Sequence, residues 1–348
     1  MTGDKINLLD LSYPQMVDLV VHWGQPRFRA AQIWRWLYNT LTDDPNEMVN
    51  LPLDLRQRLA EEACVHRLRV IDSVTDEEGL TQKVLFEAAD GHSFETVLMR
   101  YTNRNTVCVS SQLGCPIGCV ICATGQSPFV RDLTTAEITS QVLYFARLLR
   151  EENTHVTNVV FMGMGEHLRN FDQVWRAVLN LNDREGLALG ARRFTISTVG
   201  IVPGIERMAR ESLAVGLAVS LHAPDNELRD QLVPINRRYP LERLLQAVRF
   251  YIERSGRRVT FEYALIKGVN DSDQHAAKTV ALLSGLLCHV NLIPMNPTPH
   301  CTLEPSERER VVRFQEILVQ GRIQTTVRLR RGSEIQAGCG QLRERHLG

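Results

Sequence analysis

The sequence predicts an α/β protein: a partial (β/α)6 TIM-like barrel carrying a small N-terminal unit of helices and a β-hairpin. Three observations carry that expectation. From Thr106 onward, short β-rich runs alternate with helix-length amphipathic segments, the pattern that builds parallel sheets with helical crossovers. Six such units can be counted, fewer than a closed eight-fold ring requires. The cysteine- and glycine-bearing segments fall directly after strands, where parallel α/β folds seat their ligands.

Residues 14–63 read as helices with short connections. Met16, Leu19, Val20 and Trp23 form a stripe that Gly24 ends. Pro26 suits the first turn of a second helix, whose face carries Phe28, Ala31, Trp34 and Leu37 or Tyr38. Pro52 opens a third, with Leu55 and Leu59. A hairpin follows, 83–88 and 94–99 around the Asp90-Gly91 turn. Residues 1–97 are therefore expected to form an accessory domain, and 98–348 the barrel core with its C-terminal cysteine loop. The barrel strands are 106–111, 158–162, 194–197, 216–220, 259–265 and 290–294, followed by an extended run over 323–328. Capping boxes at Thr134/Glu137 and Ser306/Glu309 mark two helix starts. Pro240 opens another, carrying Leu241, Leu244, Leu245 and Val248.

Lys+Arg and Asp+Glu both number 40 among 348 residues, so contact with a polyanion has to come from local basic patches. Eight cysteines without an apolar N-terminal segment point to a reducing, cytoplasmic setting. No run approaches the ~18 apolar residues of a membrane span.

The chemistry centres on Cys115, Cys119 and Cys122, a C-x3-C-x2-C loop after the first barrel strand. Three soft thiolates can hold three irons of a [4Fe–4S] cluster and leave the fourth open. Structural zinc is the competing reading, but it usually shows matched C-x2-C pairs. Cys64, Cys288, Cys301 and Cys339 are scattered singly. Gly163-Met164-Gly165-Glu166 follows the second strand and suits the aminoacyl group of S-adenosylmethionine. Ser197, Ser220, His222 and Asn296 supply polar groups on the same rim. Cys339, between Gly338 and Gly340, reads as a reactive nucleophile, and the Arg330-Arg331 pair leading to it as a phosphate contact. By themselves, Cys108 reads as a buried strand cysteine, Glu95 as a polar residue of a half-exposed strand, and His167 as a bystander.

Taken in order, several segments resemble the RlmN family of radical S-adenosylmethionine RNA methyltransferases, which methylate C2 of adenine in 23S rRNA and tRNA. They are Cys108-Val109-Ser110-Ser111-Gln112, Phe161-Met162-Gly163-Met164-Gly165-Glu166, Ser220-Leu221-His222-Ala223-Pro224 and Val233-Pro234-Ile235-Asn236. Gly268-Val269-Asn270-Asp271-Ser272, Asn291-Leu292-Ile293-Pro294 and Cys339-Gly340-Gln341-Leu342 complete the series. The resemblance implies that Cys115, Cys119 and Cys122 hold the cluster. Gly165, Glu166, Ser197, Ser220, Leu221, His222 and Asn296 would line the S-adenosylmethionine site. Cys339 would carry a methyl group, Cys108 would form a transient disulfide with it, and Glu95 would accept a proton. The expected partners are 23S rRNA, tRNA and an electron-donor reductase of flavodoxin or ferredoxin type, acting on a monomer. Arg27, Arg29 and Arg35 could touch RNA or form a solvated helix face. A related C8-adenine methyltransferase and a zinc-stabilised RNA-binding protein are the alternatives.

The chain departs from the family pattern in four places. Ile121 replaces an aromatic residue and His167 a proline. The run 128–132 lacks the usual glycine, and Ser333-Glu334 varies an acidic pair.

Overall fold

The computed structural model describes residues 5–65, 68–298, 301–328, 334–338 and 340–342. A two-stranded parallel pair, β1 (Ile6–Asn7) and β2 (Ala63–Cys64), brackets three helices: α1 (Tyr13–His22), α2 (Phe28–Arg35) and α3 (Leu53–Glu62). Ser12 and Gln15 cap α1 reciprocally, which satisfies donors that the first helical turn otherwise leaves bare. The buried face of α2 is Ala30, Ile33 and Trp34, continued by Leu37 and Tyr38, while Phe28 is 56% exposed. The expected stripe is thus turned by about one residue. Phe28 opens the helix and packs instead under the Arg29 guanidinium, 4.8 Å from its ring centre.

Ten of the other strands form one open sheet. β3 (Arg69–Thr75), β4 (Thr81–Glu87) and β5 (Ser93–Tyr101) are an antiparallel meander, and β5 pairs antiparallel with β6 (Arg104–Val109). A short ribbon of β7 (Gln112–Leu113) and β8 (Arg131–Asp132) flanks the four-residue helix α4 (Ala123–Gln126). Parallel strands then add outward from β6: β9 (Asn158–Phe161), β10 (Phe194–Thr198), β11 (Gly216–Ser220), β12 (Val259–Leu265), β13 (Cys288–Pro294) and β14 (Thr325–Val327). Their connections carry α5 (Thr135–Glu151), α6 (Phe171–Asn182), α7 (Val202–Arg210), α8 (Asn226–Leu232), α9 (Leu241–Ser255), α10 (Asp273–Leu283) and α11 (Arg308–Gln320). Because each strand joins the same side of the last and such crossovers are right-handed, the helices gather on one face.

Strand alternation then assigns the two faces. Val107, Val159, Phe161, Ile196, Val219, Phe261 and Leu292 are fully buried on one. Thr106, Asn158, Thr195, Ser197, Ser220, Thr260, Glu262 and Asn291 line cavities on the other. A structural barrel core is filled by branched apolar side chains; this inner face is hollow and mixes those polar groups with Val160, Ala218 and Ile293.

The capping box at Thr134/Glu137 is present, with Arg131 forking onto both Glu137 oxygens at 2.8 Å. The one expected at Ser306/Glu309 is not. The cap is Glu307, and the Ser306 hydroxyl donates instead to Asp271 Oδ2 at 2.8 Å. Among the described residues no helix is long and apolar enough to cross a membrane.

Candidate active site

After β6 the chain turns under the clamp of a fully buried side chain on α5. Gln141 Oε1 accepts from the Ser110 amide at 2.8 Å, and Gln141 Nε2 donates to the Ser110 carbonyl at 2.9 Å. The cysteine loop that follows shares a single cavity with Gly165, Glu166, Ser197, Ser220, His222 and Asn296. Its empty space is about 1090 Å³ out to the open mouth. Six of the seven residues expected to bind the cofactor therefore meet the three thiols. Leu221, the seventh, is buried but does not line the cavity. Its backbone braces the rim instead: the amide donates to the Glu262 carbonyl at 2.9 Å and the carbonyl accepts from Arg229 Nε at 3.0 Å.

Burial pushes the Cys115 thiol up to about 12 and Cys119 well above its ordinary value, and the neighbouring cysteines and Glu166 push in the same direction. Thiols placed this way become good ligands only when a metal centre supplies positive charge. The donor set fits a [4Fe–4S] cluster, with one loop, three soft ligands and a cavity beside them. Among the described residues no three His, Cys, Asp or Glu side chains gather to hold a single ion.

Gly165 sits at φ +103°, and a Cβ there would fall 2.6 Å from Gln112, so the turn admits no side chain. Glu166 is directed toward the end of β10, where its oxygens accept from the Val199 amide at 2.8 Å and the Leu168 amide at 3.3 Å. Burial outweighs these bonds and raises its carboxyl to about 7. His222 adopts a left-handed backbone, φ 60°. It is held there because its Nδ1 accepts from the Ala264 amide at 3.0 Å and its carbonyl accepts from Asn270 Nδ2 at 2.8 Å. Burial lowers it to about 3, so the ring is neutral.

Several wall residues were not anticipated. His167 is buried, lines the cavity and shares a 2.6 Å hydrogen bond with the Ser111 hydroxyl; burial lowers it, too, to about 3. Arg229 is fully buried on α8. Its guanidinium donates to the carbonyls of Val199 (2.6 Å), Ser220 (3.1 Å) and Leu221 (3.0 Å) and to Asn236 Oδ1 (2.7 Å). One cation thus ties the ends of β10 and β11 together. Glu262 lines both the cofactor cavity and a second cavity, which Thr106, Asn158 and Thr260 also line. Asn291 donates to its Oε1 at 3.0 Å, Oε2 has no hydrogen-bond partner among the described residues, and burial raises its pKa. Arg229 and Asn236 stand just after the Ser220–Pro224 run, which was the available signal for them.

Cys339 lies outside the described residues, as do Arg330, Arg331 and Ser333. The residues flanking position 339 are at the cavity. The Gly340 carbonyl accepts from the Ala123 amide at 2.7 Å, and the Leu342 carbonyl from the Thr124 hydroxyl at 2.5 Å. Gly340 and Leu342 line the cofactor cavity. Gly338 lies so close to Asn296 that a Cβ would stand 2.7 Å from Asn296 Nδ2.

Glu95 and Cys108 occupy neighbouring strands of the sheet. Lys83, Val97, Cys108 and Val160 form one register row across β4, β5, β6 and β9. Glu95, expected to be half-exposed, is 1% exposed. β5 is flanked by β4 and β6, and the Lys83 ammonium lies 3.0 Å from Glu95 Oε1. Cys108 is buried as expected. In the accessory helices Arg35 pairs with Glu185, and Arg29 donates to Gln32 at 2.7 Å.

A cysteine loop opening onto the hollow side of a partial barrel defines a radical S-adenosylmethionine enzyme. Residues 109–280 match the model of the Radical SAM superfamily. Residues 6–65 match that of the ribosomal RNA large subunit methyltransferase N-terminal domain. The chain belongs to the RlmN family, whose chemistry uses a [4Fe–4S] cluster and S-adenosylmethionine. It is 48% identical to the probable dual-specificity RNA methyltransferase RlmN of Roseiflexus castenholzii, over 97% of this chain and 95% of that one. To the ribosomal RNA large subunit methyltransferase N of Nitrosopumilus maritimus it is 46% identical, over 96% and 97%. The crystal structure of a radical SAM methyltransferase from Sphaerobacter thermophilus superposes with a TM-score of 0.94 at 49% identity, covering 97% of this chain and 99% of that one.

Proposed function

We propose that this chain methylates C2 of adenine in 23S rRNA, at the peptidyl transferase centre, and in the tRNA anticodon loop. The reaction passes through a methylcysteine and uses two S-adenosylmethionine molecules. One observation carries the reading: the cluster cysteines, the Gly165-Glu166 turn, and Gly340 and Leu342 just after position 339 meet at one cavity. Glu95 and Cys108 stand on the adjacent strands β5 and β6.

Adenine C2 is electron-poor, so it cannot attack a methyl sulfonium as an amine would. Cys339, as thiolate, takes the methyl group first; its electron pair forms the new S–C bond while the sulfonium leaves as a thioether. When bound, the cluster and a second S-adenosylmethionine supply one-electron chemistry that removes a hydrogen atom from the S-methyl group. The chain's residues finish the transfer once that carbon has joined C2. Glu95 accepts the C2 proton, and the one surplus electron returns to the cluster when it is bound. Cys108, as thiolate, attacks the Cys339 sulfur: the disulfide forms, and the sulfur–carbon bond breaks with its electron pair going to the new carbon. That carbon takes up a proton to become the methyl group. For the disulfide the two Cα atoms must come within about 7 Å. Cys115, Cys119 and Cys122 hold the cluster, while Gly165, Glu166, Ser197, Ser220, His222 and Asn296 bind the cofactor, with Leu221 behind them. The target adenosine enters flipped or single-stranded, because a stacked base cannot reach a recessed site. Residues 1–97 serve as the accessory RNA-contacting domain. The enzyme works as a cytoplasmic monomer with a flavodoxin- or ferredoxin-type donor.

The test is an anaerobic assay of the cluster-reconstituted protein on rRNA and tRNA fragments, read by nucleoside mass spectrometry. C2-methyladenosine is expected; C8-methyladenosine, or no methylated adenosine, overturns the reading. A Cys108→Ala variant should accumulate a covalent protein–RNA adduct, and normal turnover by that variant would contradict the release step.

A further inference from the structure

The structure assigns Lys83 as a positioning residue that joins the proton acceptor to the cysteine-bearing C-terminal segment; this rests on the proposed role of Glu95. Lys83 is only 4% exposed, and an ammonium so far from water persists only with partners. Two of these are on different parts of the chain. Glu95 Oε1 lies 3.0 Å away on the neighbouring strand β5. The Gln336 carbonyl accepts from Lys83 Nζ at 3.1 Å, two residues before Gly338 and 253 residues from Lys83 in sequence.

The sheet explains why this contact matters. Lys83, Val97 and Cys108 are register partners on three adjacent strands, so Lys83 and Cys108 stand about 10 Å apart on one face. The chain leaves β14 at one edge of the sheet and by Gln336 has reached β4, near the other edge. Lys83 is a point at which that returning segment is fastened to the antiparallel half of the sheet. The same ammonium faces the Glu95 carboxylate. A single cation therefore fixes the base and the segment flanking position 339 relative to each other, and sets a positive charge beside the buried carboxylate. Lys83 need not touch RNA or cofactor to do this.

The test uses the cluster-reconstituted full chain with an rRNA fragment. Lys83→Met is expected to lose at least 100-fold in turnover and to accumulate the same protein–RNA adduct as Glu95→Gln. The double variant should be slower than Glu95→Gln alone by much less than the loss in Lys83→Met, because the part of the Lys83 effect that passes through Glu95 is already gone. Lys83→Arg should recover turnover to within tenfold of wild type. Amide exchange over 334–342 should quicken in Lys83→Met and stay unchanged in Glu95→Gln. Iron content and far-UV circular dichroism verify folding; if Lys83→Met does not fold, Lys83→Gln takes its place. Wild-type turnover, a loss that adds in full to that of Glu95→Gln, or unaltered exchange over 334–342 would overturn the assignment. If the wild-type protein yields no methyladenosine, the proposed activity falls, and the exchange comparison still decides whether Lys83 fastens the segment.

Discussion

Glu166 accepts hydrogen bonds on both carboxylate oxygens, yet burial raises its carboxyl from 4.5 to about 7. Its two states are therefore poised near neutrality in the cofactor-free protein. The folded chain holds this proton more tightly than the unfolded one. The group's contribution to stability is thus full below about pH 4.5 and is lost as pH rises through about 7. The difference corresponds to roughly 3 kcal/mol at one fully buried site. Urea unfolding of the cluster-free protein at pH 4.5 and pH 7.5 should show wild type losing about that much more stability than Glu166→Gln between the two conditions. Equal losses in the two proteins would remove Glu166 as the cause. A bound ammonium or other cation would favour the carboxylate, so cofactor binding near pH 6.5 should also release a proton.

At the scale of elements, the ends of β10 and β11 are held by a side chain from a seven-residue helix. Arg229 bonds the carbonyls of Val199, Ser220 and Leu221, and burial lowers its pKa only to about 10, so it remains charged. Arg229→Met leaves those buried acceptors bare and should cost about 3 kcal/mol, read as a fall in the urea midpoint. Arg229→Lys should recover little, since an ammonium cannot reproduce the planar fork. A midpoint unchanged in Arg229→Met would show that water takes over the carbonyls. Arg229 also marks where the sequence stopped being informative. The strands at 106–111 and 158–162 and the cysteine and glycine turns after them were legible, because β-rich runs and rare turn residues announce themselves locally. Arg229, Lys83 and Glu262 were not, since a single charge in a short helix or an alternating strand looks like a solvated face. Their burial depends on sheet closure and on a segment more than 250 residues away from Lys83. Glu95 was misjudged for the same reason. β3 was missed because its residues are exposed or half-buried and show no clean apolar alternation.

The whole molecule is an open sheet that needs its own C-terminus to complete the site. The two ends of the ten-stranded order are β14 and β3, and the described residues 334–338 and 340–342 contact both halves of what lies between. Gln336 is fastened to β4, the Gln341 amide nitrogen donates to the Pro297 carbonyl at 3.1 Å, and Gly340 and Leu342 are bonded to α4 next to Cys122. A chain ending at residue 328 keeps all ten strands and all three loop cysteines, so it should still fold and take up iron. It would lose two residues that line the cofactor cavity, Gly340 and Leu342, and the bonds that steady α4. Equilibrium dialysis of S-adenosylmethionine against the reconstituted protein should then give at least tenfold weaker binding, about 1.4 kcal/mol, with faster cluster loss in air. The comparison that isolates this effect is Cys339→Ala in the full chain, which removes the proposed methyl acceptor but keeps the segment. That variant should bind the cofactor as wild type does and methylate nothing. Equal affinity in the truncated and full-length proteins would mean that the barrel holds its cofactor without the segment, leaving the C-terminus only its cysteine to contribute.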